Sequence, residues 1–74
     1  MILMLNWISV ADSTRVRAVA YDADEGVIYA RFHDGAEYAY SQCSREEWNG
    51  FITPGVSKGQ YINSILNHHP YRRL

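Results

Sequence analysis

The sequence predicts an α+β fold, a small antiparallel sheet of 3–4 strands with two short C-terminal helices packed on one face. Three observations predict it. Strand-like runs come first along the chain and helix-like runs second, so helices do not alternate with strands as a parallel design requires. Two short polar loops, residues 22–26 and 33–35, carry Asp and Gly between β-type runs and read as hairpin turns. Two Ser-x-x-Glu/Gln spacings, Ser44 to Glu47 and Ser57 to Gln60, read as helix starts. The 74 residues suit a single domain, 1–74, with 1–6 as a lead-in and 71–74 as a basic tail.

Leu5 to Val10 alternates weakly and is expected as an edge strand or an extended lead-in, followed by a turn at Asp12-Ser13. Arg15 to Tyr21 is a β-type run with imperfect alternation. Val16, Ala18 and Ala20 share one face and Val19 and Tyr21 the other, so either both faces are partly covered or a bulge shifts the register. Val27 to His33 and Ala36 to Ser41 are the next two strands. A two-residue turn at Asp34-Gly35 would mix apolar and charged residues on each face. A three-residue loop, His33-Asp34-Gly35, with Gly35 left-handed, gathers Ile28, Ala30, Phe32, Ala36, Tyr38 and Tyr40 on one face and sets Arg31 opposite Glu37 on the other. A one-residue slip inverts every side chain, so the cleaner partition is the expected one.

Ser44 is the expected N-cap of a short helix with Trp48, Phe51 and Ile52 as its apolar stripe, ended by Pro54-Gly55. Ser57 is the N-cap of a second, in which Ile62, Ile65 and Leu66 lie at helical spacing and Tyr61 joins Ile65; Pro70 stops it.

Composition narrows the function classes. The single cysteine, Cys43, excludes an internal disulfide and fits a reducing, cytoplasmic setting. Cys43, His33, His68 and His69 reach four ligands on paper, but no CxxC or HxxxH spacing joins them, so neither a metal nor another cofactor is expected. The run Met1–Leu5 lacks a basic n-region and a cleavage site, so no signal peptide is expected, and no segment approaches the ~20 apolar residues of a membrane span. Net charge is −1, but residues 1–37 carry six acids against three bases and residues 38–74 two acids against four bases. The mildly basic C-terminal half fits an ordinary mixed surface better than a nucleic-acid footprint, which shows a clear basic cluster.

Several short motifs then fall in a familiar order: Ser13-Thr14, Tyr21-Asp22, Ile28-x-Ala30-x-Phe32-x-x-Gly35, a central Tyr38-Ala39-Tyr40, Ser57-x-Gly59-x-Tyr61 with Asn63 and Ile65, and Pro70-Tyr71-Arg72-Arg73. From Trp7 onward the chain resembles the KTSC domain family, small domains named after the C-terminal segment of some lysyl-tRNA synthetases and found also as stand-alone proteins of bacteria and their phages. The YxY piece alone is weak, and the ordered set carries the resemblance. Cys43-Ser44 departs from it, standing where many members have Val-Pro, and replaces a proline start by a serine cap. The resemblance implies the fold far more than a function; RNA binding is suggested only by the synthetase association.

Candidate residues for contact with nucleic acid or another partner are Arg15, Arg17, Tyr29, Arg31, Tyr38, Tyr40, Lys58, Arg72 and Arg73. Tyrosines on a sheet stack bases in several single-strand binders, but the register argument sets Tyr38 and Tyr40 with the core. That leaves Tyr29 beside Arg31 on the opposite face as the better platform. Ser57-Lys58-Gly59 opens a helix and reads as an ordinary cap, or as a small anion pocket without P-loop spacing. His68 and His69 read as solvated residues at a helix C-terminus. Cys43 reads as buried and inert, or as a thiol of lowered pKa before a helix cap. No nucleophile–base or carboxylate pair can be named, so the expectation is a non-enzymatic binding module. Its partner is RNA or another nucleic acid, or alternatively a host protein or a second copy of the chain.

Overall fold

The computed structural model describes residues 5–74, so residues 1–4 of the expected lead-in lie outside the described residues. Five strands, β1 (Ile8–Ser9), β2 (Val16–Asp22), β3 (Val27–Phe32), β4 (Glu37–Tyr40) and β5 (Tyr71–Arg73), form one sheet in sequence order, with each neighbouring pair antiparallel. Between β4 and β5 run α1 (Arg45–Phe51), α2 (Lys58–Ser64) and a 3-10 turn at Leu66–His68. The expected count of 3–4 strands is therefore corrected to five: the segment read as a basic tail pairs with β4.

Both register expectations are decided by which side chains need burial. In β2 the pairing steps from Val16↔Phe32 to Ala18↔Arg31, leaving Arg17 as the extra residue of a bulge. The bulge returns Val16, Val19 and Tyr21 to the face of Ala30 and Ile28, while Ala18 and Ala20 are buried on the other face, so both of the alternatives that the broken alternation left open are present. In the second hairpin, Ile28↔Tyr40, Ala30↔Tyr38 and Arg31↔Glu37 are paired, and Phe32 N–H donates to Ala36 O at 2.8 Å. Three residues form that loop, and Gly35 has φ +92°, the left-handed conformation that glycine adopts without steric cost.

At the first hairpin the Asp22 carboxylate accepts from the backbone N–H groups of Asp24 and Glu25 at 3.1 and 3.2 Å, which explains a carboxylate that is only 8% exposed. Gly26 comes next with φ +67°, and its carbonyl accepts the Cys43 N–H at 2.8 Å, tying the loop to the segment before α1.

α1 begins with both halves of a capping box: the Ser44 hydroxyl accepts from Glu47 N–H, and the Glu47 carboxylate accepts from Ser44 N–H. α2 is capped by the Ser57 hydroxyl, which accepts from Gln60 N–H at 3.3 Å. This helix ends at Ser64, short of the expected stop at Pro70, and the 3-10 turn carries Leu66 inward. Both helices lie on one face of the sheet. Trp48, Phe51, Ile62 and Leu66 pack there with Val16, Val19, Ile28, Ala30 and Tyr40 as one buried cluster. Tyr21 stacks on Trp48 at 5.4 Å between ring centroids and donates its hydroxyl to Cys43 O.

Candidate functional site

The nine candidate residues divide between the two faces of the sheet because side chains alternate along a strand. On the face away from the helices, Arg31 lies with its guanidinium carbon 4.2 Å from the centre of the Trp7 ring, and its Nε donates to Glu37 at 2.6 Å. Tyr29 meets the edge of the same indole. The expected platform of Tyr29 and Arg31 is thus half-buried beneath Trp7, and the Arg31 charge already has a carboxylate and a π-face. Arg72 is exposed on this face, opposite Ala39, and Arg17 is exposed at the bulge.

The other face leads to a groove. Arg15 lines three adjoining cavities, two of about 400 and 450 Å³ and a third of about 220 Å³. The Ser13 hydroxyl accepts from the N–H groups of Arg15 and Val16, and the Arg15 carbonyl accepts the His33 N–H at 3.0 Å, so the backbone of Arg15 is pinned from both sides. Its guanidinium lies 5.9 Å from the centre of the Phe32 ring, at the outer limit of a cation–π contact. Its stem runs along the first turn of α2, where a Cβ on Gly59 would touch Arg15 Cδ at an ordinary 3.4 Å.

From Arg15 the groove passes Phe32 and Tyr38 to Arg73 on one side, and to Tyr40, Ile62, Asn67 and Tyr71 on the other. Tyr38, Tyr40 and Tyr71 form a continuous aromatic contact, with centroids 5.7–6.4 Å apart. Their exposure grades outward. Tyr40 is 2% exposed and forms the floor, Tyr38 is half-buried, and Tyr71 is 54% exposed at the rim. Burial pushes the Tyr40 phenol up to about 12, with Tyr38 adding to the rise and Arg15 opposing it, so the floor carries no charge.

Tyr40 is therefore a core residue with no ring face left for a partner, as the register argument required, whereas Tyr38 reaches the groove. Lys58 lines the cavity beyond Arg15 but is only 8% exposed, and its ammonium donates to Val56 O at 3.3 Å. Two ion pairs are present among the described residues, Arg31–Glu37 and His69–Glu47; Arg15 and Arg73 belong to neither.

Sequence reasoning did not single out Tyr71 as a site residue, because a three-residue strand carries no periodic signal. His69, expected in solvent, is half-buried between Glu47 and the Ser41 carbonyl. Cys43 is buried: its thiol, donating to Tyr40 O, is pushed up to about 11 by burial and then by the Glu47 charge, so the lowered-pKa alternative does not hold. Among the described residues no cluster of His, Cys, Asp and Glu suits a metal ion, and no helix is long and apolar enough to cross a membrane.

Part of the motif set that carried the family resemblance lines this groove: Ser13-Thr14, Phe32, Tyr38-x-Tyr40, Ser57-x-Gly59, and Tyr71 with Arg73 come from five separate segments. The family model of the KTSC domain matches residues 12–71, and the chain belongs to that family. Its fold is that of a solved KTSC domain protein from Yersinia pestis, with a TM-score of 0.84 at 22% identity over 96% of this chain and 99% of that one. Among curated proteins no relative matches.

Proposed function

We propose that this KTSC domain is a non-catalytic module that binds a short single-stranded RNA segment in the groove between Arg15 and β5. One observation carries the reading. Arg15 and Arg73, neither in an ion pair, flank a ladder of tyrosines whose outermost ring, Tyr71, is 54% exposed. Single-strand binders combine backbone-tracking cations with rings that accept a base, and each stacked base contributes about 1–3 kcal/mol. The back-face arginine fits this role less well, since Arg31 is already held by Glu37 and Trp7. A non-catalytic role is supported by the same geometry: the thiol of Cys43 is buried, and both ring nitrogens of His69 are engaged.

The reading is local, which reconciles it with a net charge of −1. Two phosphate contacts predict a salt slope of only about −1.4 on a log–log plot, far shallower than for a broadly basic protein. A fluorescence-anisotropy titration with labelled single-stranded RNA at low and physiological salt tests it. Arg15→Gln and Tyr71→Ala are each expected to weaken binding at least several-fold, whereas Arg31→Ala leaves it near the wild-type value. Absence of binding at low salt overturns the proposal, and loss on Arg31→Ala alone moves the interface to the other face.

A second reading has one observation in its favour. The Pro70 carbonyl and the Leu74 N–H point toward β4, so by alternation the backbone groups of Tyr71 and Arg73 point to the open edge of the sheet. An extended segment of another protein adds to such an edge. Mass measurements of the chain with and without candidate partners distinguish it from the RNA reading.

A further inference from the structure

Among the described residues His69 is the one imidazole whose two ring nitrogens both face acceptors. Nδ1 lies 3.1 Å from the Ser41 carbonyl oxygen, and Nε2 lies 2.6 Å from a Glu47 carboxylate oxygen. A carbonyl and a carboxylate only accept, so both contacts are hydrogen bonds only when the ring carries two protons. The neutral ring leaves one acceptor facing a lone pair.

The two acceptors belong to different elements. Ser41 comes directly after β4, and its N–H donates to Pro70 O at 2.8 Å; Glu47 is in the first turn of α1. His69 directly precedes Pro70 and β5, so the imidazolium clips the entry of β5 to the sheet and to the helix at once. At its far end β5 is held by the Leu74 N–H donating to Glu37 O at 2.8 Å. β5 supplies Tyr71 and Arg73 to the groove.

We infer that His69 is a positioning residue that makes the wall of the groove pH-responsive: as imidazolium it fixes β5 and its Tyr71 and Arg73, and as the neutral ring it loosens them. The clip is independent of any ligand, while its effect on binding rests on the RNA reading above. The groups facing it are few. From α1 comes Glu47, already ionised because the Ser44 N–H and then His69 hold its carboxyl below the ordinary range. Beside Glu47 stand Cys43 from the loop and Tyr61 from α2, both raised mainly by burial and therefore neutral near pH 7. On the segment of His69 itself, His68 is exposed. Within this cluster the protonation of the His69 ring decides whether both of its contacts are hydrogen bonds.

Backbone amides of Ser41 and Leu74, followed by NMR and hydrogen exchange across the imidazole titration, test the clip. In the wild type both amides are expected to shift with the His69 ring. Their protection, corrected for intrinsic exchange, is expected to fall roughly tenfold on deprotonation, the size of one charge-assisted hydrogen bond. His69→Gln is expected to abolish the inflection. Glu47→Gln is a second variant that keeps an acceptor for the Ser44 N–H, since Gln also completes a capping box; it is expected to flatten the profile while the helix persists. Flat amide profiles in the wild type, or an unchanged inflection in folded His69→Gln, overturn the inference.

RNA affinity measured at both ends of the same range is expected to be higher at the acid end in the wild type. That ratio is expected to collapse in His69→Gln, which retains His33 and His68. If the wild type binds no RNA at either pH, the RNA reading fails and the amide profiles alone decide the clip.

Discussion

Replacing Gly26 by alanine perturbs a junction on which several parts of the molecule depend. Gly26 sits at φ +67°, where an L side chain costs about 1–2 kcal/mol. Alanine also stiffens the unfolded chain, which returns about 0.4–1 kcal/mol. The new Cβ would lie 3.1 Å from the Cys43 carbonyl oxygen, closer than ordinary contact. That oxygen has little freedom to retreat: it accepts the Tyr21 hydroxyl at 3.1 Å, and Cys43 N–H is bonded to the Gly26 carbonyl at 2.8 Å. With the contact added to the backbone term, the expected net loss is about 1–2 kcal/mol, or a fall in Tm of roughly 5–15 °C for a domain of this size. Thermal unfolding followed by circular dichroism measures it. A Tyr21→Phe background frees the Cys43 carbonyl, so the additional cost of Gly26→Ala is expected to shrink there. An unchanged or raised Tm for Gly26→Ala in the wild-type background would refute the reasoning.

Cys43, buried and with its thiol pushed up to about 11, is expected to resist a thiol-specific reagent at neutral pH until the chain unfolds; prompt modification of the native protein contradicts this. Arg31→Ala removes the ion pair with Glu37 and the contact with Trp7 together, and both partners are partly exposed, so the expected loss is about 1 kcal/mol with a shift in Trp7 emission. An Arg31/Glu37 double-mutant cycle isolates the pair, and coupling well above 1 kcal/mol would contradict the screened-pair estimate. The Glu47 carboxyl is lowered in the folded state, chiefly by the Ser44 N–H, so its contribution is present above the unfolded value of about 4.3 and is lost as pH falls through the folded value. Wild-type Tm is therefore expected to drop more steeply than that of Glu47→Gln on acidification below about pH 4.5, and parallel curves would refute this.

Much of the sheet was legible because partition into faces is a strong constraint. The choice of a three-residue loop came from where Ile28, Ala30, Phe32, Tyr38 and Tyr40 had to point, and the broken alternation of Arg15 to Tyr21 narrowed that strand to a bulge or two covered faces without choosing between them. The Ser44 cap was legible for a similar reason, since both halves of its box are local. The features that escaped are non-local. Pairing of Tyr71 to Arg73 with β4 leaves no trace in three residues, and Pro70 marks the end of a helix without specifying a strand after it. His69 looked like a solvated helix end because nothing near it in sequence shows Glu47, 22 residues away, closing over it.

The same constraint explains why the arginine and tyrosine candidates could be named but not grouped. Arg31 and Phe32 are neighbours in sequence and lie on opposite faces, so a run that reads as one basic–aromatic cluster divides in space. Arg31 meets Trp7 and Glu37, which hold its charge on the back face. Phe32 meets Arg15, which enters from outside the strand and is pinned there by the Ser13 hydroxyl and the His33 N–H. Arg72 and Arg73 divide in the same way once they are known to be a strand, Arg72 opposite Ala39 and Arg73 opposite Tyr38. Each adjacent pair thus sends one side chain to the groove and the other to the back face. In this way Arg15 and Arg73 come to line one cavity, on a chain whose net charge gives no hint of it.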